Sequence, residues 1–395
     1  MRSEFLIFGS PLIEEAEIEE VVASMRSGWL GTGPKVAQFE EEFRSYIGAS
    51  QAVAVNSCTA ALHLSMVAAG LEPGDEVITT ALTFCATVNA IIHAGATPVL
   101  VDVDPLTMNM DPDQVKARVT GRTRAILPVH FAGRPCDMAA LTEIAERHGL
   151  RLIEDCAHAI EAEYRGRKVG TFGDFGCYSF YATKNVVTGE GGMVVARREE
   201  DAARIKMLAL HGMTKDAWRR FGDEGFKHYR VEECGFKYNM MDLQAGIGLH
   251  QLRRVEARWP RRRELWHRYR AELAGLSLGL PAAPEPATRH AYHLFPILVD
   301  GARTGIGRDQ FLDAMTAEQI GVGVHYLSVP EHPYYLRTFG WRPEDYPHAM
   351  RIGRSTVSLP LSAKLSDRDA DDVLEAVRRV LTGAAVKPRS ARNQR

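Results

Sequence analysis

An α/β fold with a mainly parallel sheet, followed by a smaller α+β domain, is what this chain predicts. Two observations carry that reading. From about residue 50, short apolar runs alternate with helical patterns, and each run is continuously apolar rather than alternating, as in strands covered on both faces. The chain also has 395 residues, too many for one compact core.

The first element is a helix from Glu14 to Met25, with Ile18, Val21, Val22 and Met25 at helical spacing and a stop at Ser27-Gly28. Gln51 to Val55 then reads as a buried strand and Thr59 to Ala69 as a helix. Glu76 to Thr79 is the next strand, Thr87 to His93 the next helix, and Thr97 to Val103 the strand after it. A strand over Arg124 to His130, a helix over Asp137 to His148 and a strand ending Leu152-Ile153-Glu154-Asp155 continue the alternation. Beyond a strand at Met193 to Ala196 comes a polar, aromatic-rich segment to about residue 238, then a long charged helix, Leu243 to Leu273. A Gly/Pro/Ala-rich connection over 279–288 leads to a strand (Tyr292 to Val299), a helix (Arg308 to Gln319), a strand (Val322 to Tyr326) and a last helix (Asp367 to Leu381). The expected division is a large domain over 1–240, including an N-terminal helical arm, and the long helix with a small domain over 241–386. Residues 387–395, polar and basic, read as a disordered tail.

Composition narrows the function. Charged residues make up 25% and the net charge is −2, which gives no electrostatic footprint for nucleic acid. No apolar run approaches the ~20 residues a membrane span needs, and the start lacks a signal-peptide pattern. A cytoplasmic protein is expected. The six cysteines form no C-x-x-C pair and no zinc-type spacing with histidine, so they read as reduced thiols, with no metal.

The chemistry centres on Lys184. Most lysines are solvated, but this one follows the apolar, strand-like Gly176 to Phe180 and precedes a glycine-rich turn, Gly189-Glu190-Gly191-Gly192. Burial lowers an amine's pKa and supplies the neutral nucleophile that imine formation needs. Asp155 ends a predicted central strand, where it either caps the next helix or faces the crevice in which open α/β sheets bind ligands. A Schiff-base lysine and an aspartate for a pyridinium nitrogen are the minimal protein requirement of pyridoxal 5'-phosphate chemistry. Asn56-Ser57-Cys58-Thr59 lies between a strand and a helix, where free N–H groups suit a phosphate or an ordinary cap. Phe84 opens the helix after the next strand, as a core residue or as a ring to lie against a heteroaromatic one.

Several segments in order resemble the sugar aminotransferases of the DegT/DnrJ/EryC/StrS group, which are fold-type I pyridoxal phosphate enzymes. They are Ser27 to Pro34, Asn56 to Leu62, Gly74 to Ile78, Glu154 to Ala159 and Ser179 to Gly192. His211-Gly212, Gly235 to Asn239 and Ser358-Leu359-Pro360 extend the match. The resemblance implies a sheet of the seven-stranded type. It makes Lys184 the Schiff-base lysine, Asp155 the pyridinium partner, His158 the contact to the cofactor's phenolic oxygen and Phe84 the stacking ring. Cys58, Thr59 and Ser179 become phosphate ligands, and Asn239 a ligand reaching the neighbouring subunit's phosphate, hence a homodimer with shared sites. Trp29, Lys35, His325 and Tyr326 are placed toward the substrate. The implied reaction moves an amino group from L-glutamate, which leaves as 2-oxoglutarate, to a nucleotide-linked keto sugar, for amino sugar and surface polysaccharide synthesis. Within the group, Gly235 to Asn239, His290 to Phe295 and Gly321 to Tyr326 most resemble members that aminate the four-keto position of a UDP-linked pentose. Aminocyclitol transamination, sugar dehydration with the same cofactor and a non-catalytic sensor are the alternatives.

Overall fold

The structure is a computed structural model that describes residues 2–213 and 229–383; the expected tail, 387–395, lies outside the described residues. Seven strands form the main sheet: β1 (Gln51–Val55), β2 (Glu76–Thr80), β3 (Thr97–Val101), β4 (Thr123–Leu127), β5 (Arg151–Asp155), β6 (Phe175–Ser179) and β7 (Gly192–Ala196). Their order is β1-β7-β6-β5-β4-β2-β3, and only β7 runs antiparallel to its neighbours.

Side chains alternate between the two faces of each strand, and here both faces are buried. On one, Val53, Val77, Leu127, Ile153, Phe175 and Val194 pack under the helices α3 (Cys58–Ala68), α4 (Cys85–His93) and α7 (Glu199–Leu208). On the other, Ala54, Tyr178, Met193 and Val195 meet α2 (Pro34–Ile47) and the first part of α8 (Asp242–Glu272). Ile78, Ile126 and Leu152 on that face meet α5 (Pro112–Arg118) and α6 (Met138–His148). The helix α1 (Glu15–Ser27) ends at Gly28 in the left-handed region, φ 76°, as its sequence predicts.

The smaller unit holds an antiparallel pair, β8 (Phe295–Leu298) with β9 (Thr356–Leu359), covered by α9 (Arg308–Ala317) and α10 (Asp367–Leu381). Two segments tie the large and small units together. The helix α8 gives Ala245, Leu249 and Val255 to the large core but Leu265, Trp266 and Tyr269 to the small one. The first residues of the chain lie on the small unit: Leu6 bonds the backbone of Gln319 and Gly321, and Arg2 pairs with Asp369 and Asp372.

The expected strand over Val322 to Tyr326 is not one. Gly323 makes a single bridge to Ser358 and the rest of the segment is irregular. Its backbone turns away from the sheet to carry His325 and Tyr326 back toward the large unit. No helix among the described residues is long and apolar enough to cross a membrane, and all six cysteines are free thiols.

Candidate active site

The carboxyl ends of β1, β2, β5 and β6 lie on one edge of the sheet, and the segments that carry Cys58, Phe84, Asp155 and Lys184 start there. After β1 the chain enters α3, whose amino end is capped by Ser57, its Oγ accepting from the Ala60 amide at 3.1 Å. The amides of Cys58 and Thr59 are among those a helix leaves without an acceptor of its own. The start of α3 abuts Gly192: a Cβ there would sit 2.5 Å from the Ser57 carbonyl carbon and 2.7 Å from the Cys58 nitrogen. Ser179 is the register partner of Gly192 across the sheet and so lies beside the start of α3. Free amides with a serine beside them make a cradle that suits a phosphate.

Lys184 sits in the loop between β6 and β7. The glycine turn folds back along that loop, Phe180 N donating to Gly191 O at 2.9 Å and Thr188 N to Phe180 O at 2.8 Å. The turn thereby presents Lys184 to the crevice, where burial lowers its pKa to about 8 against the opposing fields of Cys58 and Asp155. Asp155, 4% exposed, accepts from Thr87 Oγ1 at 2.9 Å and from the Ala157 amide at 3.1 Å. Burial raises its pKa, and neither oxygen bonds a cation among the described residues.

His158 accepts the Ala132 amide on Nδ1 at 3.3 Å and meets the Tyr326 hydroxyl through Nε2 at 3.0 Å. An acceptor at Nδ1 puts the proton on Nε2, which donates to Tyr326 and leaves the Tyr326 O–H free to donate outward. Burial, with Lys184 next, holds His158 neutral, while burial raises the pKa of Tyr326 and so keeps it protonated. His325 is likewise pushed down to about 4 by burial and Lys184, and its Nδ1 lies 2.9 Å from Ser358 Oγ. Phe84 caps α4 with its ring 55% exposed, 5.5 Å from that of Tyr326. An aromatic this open at the mouth of a buried polar cluster is a face waiting for a planar ligand.

The structure thus brings together Lys184, Asp155, His158, Cys58, Thr59, Phe84, Ser179, His325 and Tyr326. It does not bring Lys35 there: its ammonium pairs with Glu20 between α1 and α2, and Glu20 also bonds His250 at 3.0 Å. Trp29 is exposed and donates to Thr32 O. Asn239 bridges to Val55 beside the α3 cradle and donates to Thr32 Oγ1 at 2.7 Å. Sequence reasoning missed Thr87, which orients Asp155, and His293, whose ring lies 4.6 Å from that of His158. Thr87 falls one helical turn past Phe84 and carries no sequence signal of its own. His293 lay in view within the His290 to Phe295 run.

The residues fit pyridoxal phosphate on these grounds: free amides at the start of α3, a buried carboxylate that bonds no cation among the described residues, an open aromatic face and an amine of lowered pKa. Residues 11–378 match the model of the DegT/DnrJ/EryC1/StrS aminotransferase family. The spore coat polysaccharide biosynthesis protein SpsC of Bacillus subtilis is 48% identical over 97% of this chain and 99% of its own. Spr1654 of Streptococcus pneumoniae, assigned as a sugar aminotransferase and solved in its PLP-form, superposes with a TM-score of 0.88 at 32% identity, covering 96% of this chain and 99% of that one. DesI, solved in the presence of its TDP-sugar product, gives 0.85 at 33% identity, covering 97% and 94%.

Proposed function

As a member of the DegT/DnrJ/EryC1/StrS aminotransferase family, to which this chain belongs, the protein is a pyridoxal-phosphate-dependent aminotransferase, and we propose that it moves an amino group from L-glutamate to the keto group of a nucleotide-linked sugar. The observation that carries this reading is the pairing of Lys184, an amine half-neutral near pH 8, with Asp155, a buried carboxylate that bonds no cation among the described residues. The kinship with DesI and SpsC supports a nucleotide-linked sugar on a polysaccharide pathway.

When bound, pyridoxal phosphate supplies an aldehyde that takes up the amine and a ring that draws electrons from the adjacent carbon. The chain does the rest. The α3 amides and Ser179 would hold the phosphate, Asp155 would keep a ring nitrogen protonated, and Phe84 would lie against the ring. Once free, Lys184 Nζ carries the proton off and onto the substrate carbon, for which a pKa near the working pH is the efficient value. Neutral His158, its one N–H given to Tyr326, leaves the Tyr326 hydroxyl as an outward donor without adding charge, so the oxygen that hydroxyl addresses can bear the negative charge.

We further propose a homodimer with shared sites. Trp29, Leu30, Tyr181 and Met241 are exposed apolar side chains beside Asn239 and the glycine turn, a surface that a second copy would cover. The deciding experiment incubates the purified, yellow protein with L-glutamate and a panel of nucleotide-linked keto sugars and follows 2-oxoglutarate and the amino sugar together. Oxoglutarate formed in step with an aminated sugar establishes the reading. Sugar consumed without oxoglutarate would make the protein a dehydratase instead, and no turnover with any donor would leave a binding protein.

A further inference from the structure

The geometry points to a carboxylate-binding subsite in the cavity behind Lys184, where the large unit, the long helix and the small unit meet. This rests on the aminotransferase reading and names the part of the amino donor that the cavity takes: the second carboxylate of a dicarboxylic amino acid and its oxo acid.

The cavity is lined by Ser10, Thr183, Lys184, Arg262, Ser362 and Lys364, among others. Arg262 is the built element. It is 3% exposed, and its guanidinium makes one hydrogen bond among the described residues, from Nη2 to Glu161. Nε is buried without any partner, and Nη1 has no acceptor among the described residues. A buried N–H left unmade is costly, and a guanidinium offers its donors as a planar fork that fits a carboxylate. Lys364, on the opposite lip, donates only to Ser10 Oγ at 3.1 Å and has no carboxylate partner among the described residues.

Gln251, Arg258 and Asn185 on this wall are already engaged. Gln251 bonds Leu12 O, Glu17 and Arg258, and Arg258 bonds Gln251 and Glu14. Asn185, beside Lys184, gives its amide hydrogens to Glu161 at 2.9 Å and Ala291 O at 3.2 Å, and its oxygen faces His293 Nδ1 at 3.0 Å. What the cavity offers is therefore a surplus of donors: Arg262 Nε and Nη1, the free Lys364 hydrogens and the hydroxyls of Ser10 and Ser362. Glu161 offsets the charge of Arg262, so the uncompensated charge is the one on Lys364. One positive charge with a fork of neutralised N–H groups matches a single carboxylate better than a dianionic phosphate. Lys184 borders the same cavity, so a chain a few bonds long spans from its amine to this wall.

The test is calorimetric binding of 2-oxoglutarate to the pyridoxal form of the holoenzyme, which an oxo acid does not convert, with pyruvate and inorganic phosphate as comparison ligands. Wild type should bind 2-oxoglutarate well above pyruvate. Lys364→Met should weaken 2-oxoglutarate by about ten-fold, Lys364→Arg should restore it, and pyruvate should not change. Arg262→Lys, which keeps a cation on Glu161, should weaken it as well. Unaltered 2-oxoglutarate affinity in Lys364→Met and in Arg262→Lys overturns the subsite, as does phosphate displacing 2-oxoglutarate at lower concentration. If the sugar is aminated from glutamate but the subsite variants behave as wild type, only this inference fails. If no sugar is aminated from any donor, the function reading fails instead.

Discussion

Glu154 and Asp155 are neighbours on one strand, both carboxylates, both buried, and they do opposite work. The two-residue period of β5 points them to opposite faces of the sheet. Glu154 is saturated: Gly170 N and Gly173 N each donate at 2.7 Å, and His130 Nε2 lies 3.1 Å away. Asp155 bonds a hydroxyl, one amide and, among the described residues, no cation, yet lies within the field of Lys184. A buried charge answered on every side by its own chain holds the fold, and one left partly unanswered is held for a ligand. The same contrast separates the paired Lys35 from Lys184.

The largest effect that can break this comparison is at Lys184. Lys184→Ala should remove the long-wavelength absorbance of the lysine–cofactor bond and cut turnover by roughly 10³-fold or more, because nucleophile and proton carrier go together. A variant that kept its colour and rate would show that another amine does the work.

The two carboxylates then part company. Asp155→Asn should melt near the wild-type temperature and lose about 10²-fold in rate, since an amide cannot pair with a protonated ring nitrogen. Glu154→Gln should do the reverse, losing about 1–3 kcal/mol of stability, because an amide nitrogen replaces an acceptor to which a backbone N–H now donates. Rate and melting temperature measured on both variants check this. If both lose the same quantity, the division between structural and functional carboxylate is wrong.

How far the chain could be read without coordinates follows from the same physics. Strand and helix alternation was legible because apolar runs and helical spacing are local, and β1, α3, β5, α6, α8 and α10 fall within a few residues of where their patterns put them. Helices α2, α5 and α7 were passed over: their apolar faces are narrow, and in α2 only Val36, Phe39, Phe43 and Ile47 point inward with Glu40. Lys184 and Asp155 were legible because a lysine after an apolar strand and an acid at a strand's end are locally odd. That Asp155 lacks a cation while Glu154 is saturated was not, since Gly170, Gly173 and His130 reach Glu154 through tertiary folding alone. The same holds for Arg262, one basic residue in a run of three that the structure buries alone against Glu161.

A smaller effect sharpens the comparison at the subunit boundary. Asn239→Ala should weaken cofactor affinity by about 10- to 100-fold if its amide serves a phosphate in a second copy. If it serves only Thr32, stability falls and affinity stays. Mixing Asn239→Ala with Lys184→Ala subunits decides: in a shared-site dimer one of the two sites carries neither defect, so activity returns on mixing. Exchange without recovery would mean each chain completes its own site.

The smallest effect is on stability, and its sign follows from Lys184. Folding lowers the pKa of this lysine from the ordinary 10.5 to about 8, because burial costs the charged form more than Cys58 and Asp155 return. A lysine with a depressed folded pKa binds fewer protons folded than unfolded between those two values, so its penalty is full below about pH 8 and fades as the pH rises toward 10.5. In the cofactor-free protein, Lys184→Met should therefore melt higher than wild type at pH 7, with the gap narrowing at pH values above about 8. A salt-bridged lysine behaves in the opposite way: removing it leaves a partner carboxylate without its counter-charge and costs stability at neutral pH. Lys35→Met, which strips Glu20 of its partner, supplies that opposite case within the same protein and should melt lower. Melting curves of both variants across pH 7 to 9.5, each against wild type, contrast the amine held for a ligand with the amine held for the fold. If Lys184→Met is no more stable than wild type at pH 7, or if its gap ignores pH, then Lys184 is already satisfied by its own chain and the distinction drawn from Asp155 does not extend to it.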